Sequence, residues 1–260
     1  MRFGFCAPLE HLPILTAAGY DYVEPPLAAT LRPEQAEVEV MPGLKESLAA
    51  PSITPEAFNV FLPGDLKVVG EAVDEARQGR YLQAAFARAA ALGGRVVVFG
   101  SGRSRQRPDG FPAAEARRQV TDFLRRCGPL AAAQGVTVAI EPLHASECNF
   151  INGVSEAAEI AQAVGHPAIK VLSDLYHVSQ ERQSFEETRG AGALLQHVHV
   201  AGAEGRRVPT AEDVDYLASF FRVLKEMGYG GRISVEGHST DLPRQAAETL
   251  DTLRRAWEVA

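Results

Sequence analysis

Residues 135–141 read Gly-Val-Thr-Val-Ala-Ile-Glu: a glycine, five residues with almost no polarity, and a carboxylate. The glycine follows an alanine-rich helical run, where a C-terminal cap belongs. The apolar run is too short for a helix and rich in β-branched side chains, as in a strand buried on both faces. Such strands belong to parallel sheets covered by helices. The glutamate closes the strand at its C-terminal end, where folds of this kind place their chemistry.

The same punctuation recurs along the chain. Short β-rich runs at 2–6, 20–24, 58–62, 95–100, 136–141, 169–174, 196–200 and 232–236 alternate with helix-period runs, among them 74–92, 113–134, 155–164, 211–227 and 242–259. Gly19, Gly93-Gly94, Gly135, Gly165 and Gly228 each end a helical run before a strand. Eight such units predict an α/β fold of one domain over residues 1–260, a (β/α)8 TIM barrel rather than an open doubly wound sheet. The glycine-rich turn Gly100-Ser101-Gly102 runs on into arginines and completes neither the dinucleotide nor the P-loop pattern, which argues against a nucleotide.

Composition narrows the partners. With 26 Lys plus Arg against 33 Asp plus Glu the formal charge is −7, so neither a nucleic-acid backbone nor an anionic membrane is attracted. A small molecule is the expected ligand. Cys6, Cys127 and Cys148 make no CxxC pair and no disulfide framework, which favours a reducing compartment, with Cys127 and Cys148 in packing roles. The first apolar stretch carries Glu10 and His11 and lacks a cleavage pattern, and no run approaches the ~18 apolar residues of a membrane span. A soluble cytoplasmic protein is expected.

Strands five to eight end in a series of ligand-type side chains: Glu141, Asp174, His199 and Glu236. Barrel sites gather residues from the C-terminal ends of several strands, so the four converge despite their separation in sequence. Three carboxylates at one point repel one another, and a divalent cation removes that repulsion. Acidic strand ends also cap the helices that follow, but four in register on consecutive strands favour the metal. A set of hard oxygens with one imidazole and no thiolate suits Mn2+ first, with Mg2+, Co2+ or Zn2+ as alternatives. His197 lies on the same strand face one position deeper and reads as a hydrogen-bonded core histidine.

Glu141-Pro142 with Glu147 and Asn149, Asp174-Leu175-Tyr176-His177, His197-Val198-His199 and Ser234-Val235-Glu236 together resemble the xylose-isomerase-like barrel superfamily. Its ketose 3-epimerase and hydroxypyruvate isomerase members are the nearest in pattern. The first half, including Tyr22-Val23-Glu24, is weakly diagnostic. The resemblance implies a sugar isomerase or epimerase in which Glu141 and Glu236 are both metal ligands and the acid/base pair, working through a metal-stabilised enediolate. Asp174 and His199 are then ligands only, and Glu147 and His177 contact substrate oxygens. In the ketose epimerases an arginine six residues past the ligand histidine also touches substrate; that position here is Gly205, followed by Arg206 and Arg207. Arg206 is the expected substrate contact, and its displacement leaves the substrate open. Barrels of this family often pair through their outer helices.

Other residues read two ways. His144 is a pocket residue or a solvated loop histidine, and His238 supports Glu236 from two positions away. Arg103, Arg105 and Arg107 follow the fourth strand, where they either hold a phosphate or carboxylate or point into solvent. The alternative reactions are a metal-dependent dehydratase of the inosose or dehydroshikimate type and a DNA-repair endonuclease-like phosphodiesterase. The latter needs histidines at the early strand ends, which here read Leu62-Pro63-Gly64 and Phe99-Gly100-Ser101.

Overall fold

A computed structural model of the chain describes residues 1–50 and 53–260. Eight parallel strands form one sheet: β1 (Arg2–Cys6), β2 (Tyr22–Glu24), β3 (Ala57–Phe58), β4 (Val96–Phe99), β5 (Thr137–Ile140), β6 (Ile169–Asp174), β7 (Leu195–Val200) and β8 (Arg232–Val235). Their order is β2-β1-β8-β7-β6-β5-β4-β3, so β1 lies beside β8 and the sheet curls into a nearly closed barrel. The remaining seam, between β2 and β3, is spanned by two isolated bridges, Val23 to Pro55 and Pro26 to Asn59.

Helices follow the strands and pack outside. Each presents an apolar face, and the largest hydrophobic cluster fills the layer between helices and strands. Asp74 caps the helix Glu75–Ala91 by accepting from Arg77 N at 2.8 Å. Gly165 ends the helix Val154–Val164 at φ 66°, a left-handed conformation that a side chain would strain. No helix among the described residues is long and apolar enough to cross a membrane.

Side chains alternate along each strand. Val97, Phe99, Val138 and Ile140 point outward to the helices, while Val96, Val98, Ala139 and Leu172 join Tyr22 and Ala57 in a small cluster inside the barrel. Two residues further along each strand direction, the inward positions are Cys6, Glu24, Asn59, Gly100, Glu141, Asp174, His199 and Glu236. The apolar filling therefore stops one position below the mouth, and a ring of polar groups begins.

The third strand differs from its expected extent of 58–62. It covers only Ala57–Phe58, because beyond it Asn59 O and Val60 O accept from Leu27 N at 2.7 Å and Ala28 N at 3.2 Å rather than from a sheet neighbour. Val60 takes φ 44°, unusual for a β-branched residue, and is 49% exposed at the mouth. Phe61 anchors this departure. It is fully buried, with ring centroids 5.4 Å from Phe86 and 6.3 Å from Phe99. Each such pair adds about 0.5–1.5 kcal/mol beyond burial. The apolar run that reads as strand is thus a strand end plus a core anchor, and the residues between them face the mouth.

Candidate metal centre and substrate pocket

The four residues from strands five to eight meet. Glu141, Asp174, His199 and Glu236 offer ligand atoms that all lie within 4.8 Å of one another. His199 Nδ1 is 3.2 Å from Glu141 Oε1 and 3.0 Å from Glu236 Oε2. Asp174 divides its two oxygens: Oδ1 accepts from Tyr176 N at 2.9 Å and caps the next helix, while Oδ2 faces the centre. Asp174 therefore caps a helix with one oxygen and presents the other to the cluster.

Crowding and burial set the protonation. Glu141 is held above the usual carboxylate range by burial and then by the charge of Glu236. Asp174 is pushed up to about 7 by burial, against the pull of Arg206, with Glu236 and Glu141 adding to the rise. Glu236 goes the other way. Burial opposes it, but His199 and Arg206 together hold it down at about 2. The ring of His199, for its part, is kept well above its ordinary value: burial opposes its charge, but Glu24, Cys6 and Glu236 together outweigh burial.

Two loops and the short helix Leu175–Gln180 bring the expected substrate contacts to the same place. Glu147 Oε2 lies 4.0 Å from His177 Nε2 and 3.6 Å from Arg206 Nη1, and Arg206 Nη2 reaches Glu236 Oε2 at 2.6 Å. The extra residue before Arg206 does not carry it away from the pocket. Gly205 and Arg206 both adopt left-handed conformations, φ 67° and 50°, which turn the guanidinium back over the Tyr176 ring at 4.8 Å. His238 secures this loop through its backbone, donating from N to Arg206 O at 2.7 Å and accepting from Val208 N at 3.1 Å. Its side chain is exposed, so its support reaches Glu236 by way of Arg206.

His177 is 2% exposed, and burial with the nearby Arg206 charge lowers its pKa to about 3. The ring is neutral. Its Nδ1 accepts from His144 N at 3.2 Å and lies 2.8 Å from His144 Nδ1. The proton therefore resides on Nε2, which is buried without a hydrogen-bond partner among the described residues, 3.5 Å from Asp174 Oδ2 and facing the centre. His144 is a pocket residue in this indirect sense: it fixes the tautomer of His177.

A cavity of 570 Å³ opens over these groups, lined among others by Asn59, Leu62, Arg103, Glu141, Glu147, Arg206 and Glu236. Of the three arginines after the fourth strand, Arg103 lines this cavity and Arg107 Nη1 donates to Phe111 O at 2.9 Å. Arg105 corrects both expectations for the run. It is fully buried and donates to the strand-end carbonyls of Phe99 at 2.9 Å and Glu141 at 2.7 Å, so it is neither solvated nor free for a phosphate.

Two residues at the mouth were given no role by the sequence. Glu24, fully buried, contacts the rings of both His197 and His199. Asn59 Nδ2 donates to Glu236 Oε1 at 3.3 Å, and its Oδ1 has no partner among the described residues. Glu24 carried the signal that found the other carboxylates, an acid at the C-terminal end of an apolar strand, but on a strand outside the consecutive four. Asn59 was hidden inside a strand drawn too long.

Residues 12–256 match the model of the family described as xylose isomerase-like TIM barrel. The chain is 27% identical over 245 residues to an L-ribulose 3-epimerase of a Methylomonas species, covering 92% of this chain and 82% of the relative. It is 30% identical over 202 residues to a 2-oxo-tetronate isomerase of Cupriavidus necator, covering 74% and 75%. Its fold is similar to the crystal structure of a D-psicose 3-epimerase from Clostridium cellulolyticum with D-tagatose, with a TM-score of 0.84 over 99% of both chains at 19% identity.

Proposed function

The chain belongs to the xylose isomerase-like TIM barrel family, and on that premise we propose that it is a divalent-metal-dependent isomerase or epimerase of a small ketose or related hydroxy-carbonyl compound. One observation carries the reading: Glu141 and Glu236 converge on one point with opposite proton affinities, the first held above its usual range and the second at about 2. Pairs of carboxylates whose surroundings drive them apart in this way are acid/base pairs. Glu236 is ionised and ready to take a proton from a carbon beside a carbonyl. Glu141, the member of the pair with the higher proton affinity, is the partner that returns a proton.

The donor set fits a hard divalent cation, Mn2+ first. Three carboxylates and one imidazole are gathered within 4.8 Å, and a single guanidinium is the nearest compensating charge. When bound, such an ion polarises a carbonyl oxygen and steadies the negative charge that deprotonation leaves beside it. Glu141, Asp174, His199 and Glu236 would hold it. The neutral His177 donates from Nε2 to a substrate oxygen, Glu147 accepts from a hydroxyl, and Arg206 holds Glu236 in its ionised state. Relatives acting on free ketoses and on a 2-oxo acid support substrates of this size and type.

The test is direct. The Mn2+-loaded protein is incubated in D2O with ketoses, ketose phosphates, hydroxypyruvate and inosose, and deuterium incorporation and products are followed by NMR. Exchange at a carbon beside the carbonyl, with an epimer or isomer as product, is the expected result. A dehydrated product would move the chain to the lyases, and no exchange on any member of the panel would refute the proposal.

A further inference from the structure

The floor beneath the proposed ion is a closed set of hydrogen bonds around a fourth carboxylate. Glu24 ends β2, on the side of the barrel that supplies none of the four ligands, and is fully buried. Its Oε1 accepts from His199 Nε2 at 2.9 Å. Its Oε2 accepts from His197 Nε2 at 2.7 Å and from Ser234 Oγ at 2.5 Å, and Tyr22 OH in turn donates to Ser234 Oγ at 2.8 Å. Three donors point at this one carboxylate, and Tyr22 orients one of them.

We infer that Glu24 is the positioning residue of the metal centre, holding His199 in the Nε2–H tautomer so that the Nδ1 lone pair faces Glu141, Asp174 and Glu236. The inference rests on the metal reading above and concerns a residue which that reading does not use. An ionised carboxylate only accepts hydrogen bonds, so the nitrogen facing it must carry the proton. A neutral imidazole then has its lone pair on the other nitrogen. Rotation of the ring is blocked as well, because flipping it would set a carbon against Glu24 Oε1. A carboxylate behind a ligand histidine also makes the imidazole a stronger donor to the ion. His197 and Ser234 hold the other oxygen of Glu24, which fixes the carboxylate itself.

The experiment measures metal affinity, independent of turnover. Mn2+ binding to wild type and Glu24→Gln is titrated in competition with a chelator, with circular dichroism and thermal unfolding as the check on folding. A folded Glu24→Gln variant should bind Mn2+ about 10- to 100-fold more weakly, the usual effect of removing such a partner. Affinity within twofold of wild type overturns the inference and leaves the metal reading standing. Absence of Mn2+ binding by wild type overturns both. Should the variant not fold, Co2+-loaded wild type decides. Its proton spectrum should contain a strongly shifted imidazole N–H resonance that exchanges slowly with D2O, the Nε2–H of His199. Lack of such a resonance overturns the inference.

Discussion

The Glu141 carboxylate lies directly against the Cα of Gly100, in space that any side chain at that position would fill: an added Cβ would collide with Glu141 Oε2. Both residues end adjacent parallel strands, and the missing side chain of one is the seat of the other. Gly100→Ala should therefore displace Glu141 with little effect on the fold. A displacement of about 1 Å costs on the order of a hundredfold in rate. Turnover and thermal unfolding measured side by side check this; unchanged turnover would contradict it.

Removal of either acid/base group follows from the proposed chemistry. Glu141→Gln and Glu236→Gln should each lower turnover by at least about 10²- to 10⁴-fold, the usual contribution of a positioned proton donor or acceptor. Solvent deuterium exchange into substrate is the sharper measurement, because near-normal exchange in either variant would take that residue out of the chemistry.

Metal affinity should rise with pH. Asp174 is pushed up to about 7, and Glu141 and His199 are also held above their ordinary values, so the metal-free protein keeps protons on these groups near neutrality. A cation must displace them, and binding strengthens as the pH climbs through the range where they leave. Each proton released contributes about tenfold in affinity per pH unit. Titration calorimetry with Mn2+ in buffers of different ionisation enthalpy counts those protons. A pH-independent affinity between pH 5 and 8 would contradict the assignment.

His177 should behave as a neutral donor throughout that range. With its pKa lowered to about 3, it stays uncharged above that value and contributes no limb to the pH dependence of KM. His177→Ala should raise KM about tenfold, the worth of one hydrogen bond of ~1.4 kcal/mol. His144→Ala should have a smaller effect in the same direction, since it removes the ring beside His177 Nδ1 but keeps the backbone N–H that donates there. A limb near the ordinary histidine pKa that disappears in His177→Ala would be the contrary result.

Arg105 should be structural first. Arg105→Met leaves the carbonyl of Glu141 without its buried donor and that of Phe99 with Glu141 N alone, and an unsatisfied buried acceptor costs about 1–3 kcal/mol. Urea unfolding should show a loss of roughly 2 kcal/mol, with reduced activity because the backbone of Glu141 is no longer held. A variant as stable as wild type would show that the guanidinium's own desolvation cancels its bonds.

The barrel was legible from alternation and glycine punctuation because strands buried on both faces leave an unmistakable apolar signature, as at Val96–Phe99 and Thr137–Ile140. The four acids and bases on strands five to eight were legible because each ends such a run. What escaped did so for identifiable reasons. In a strand of period two, the inward-facing end residue is found only when the boundary is right, and β3 is three residues shorter than its apolar run suggested, which hid Asn59. Arg105 sits among alternating arginines that look solvated; the helical turn Gly102–Arg105 swings this one under the strand ends. The shift of Arg206 looked like a departure from pattern because the sequence does not show that two successive left-handed residues can take up one extra position.

The seam between β2 and β3 gives the barrel a place where it is not continuously laced. Glu24 stands on one bank and Asn59 on the other, and through them the two banks grip His199 and Glu236. A change in the width of that opening would move an imidazole and a base relative to each other without touching any strand that bears them. Selection can therefore retune this centre from its empty side, by substitutions that read as remote packing changes and act as adjustments to the chemistry.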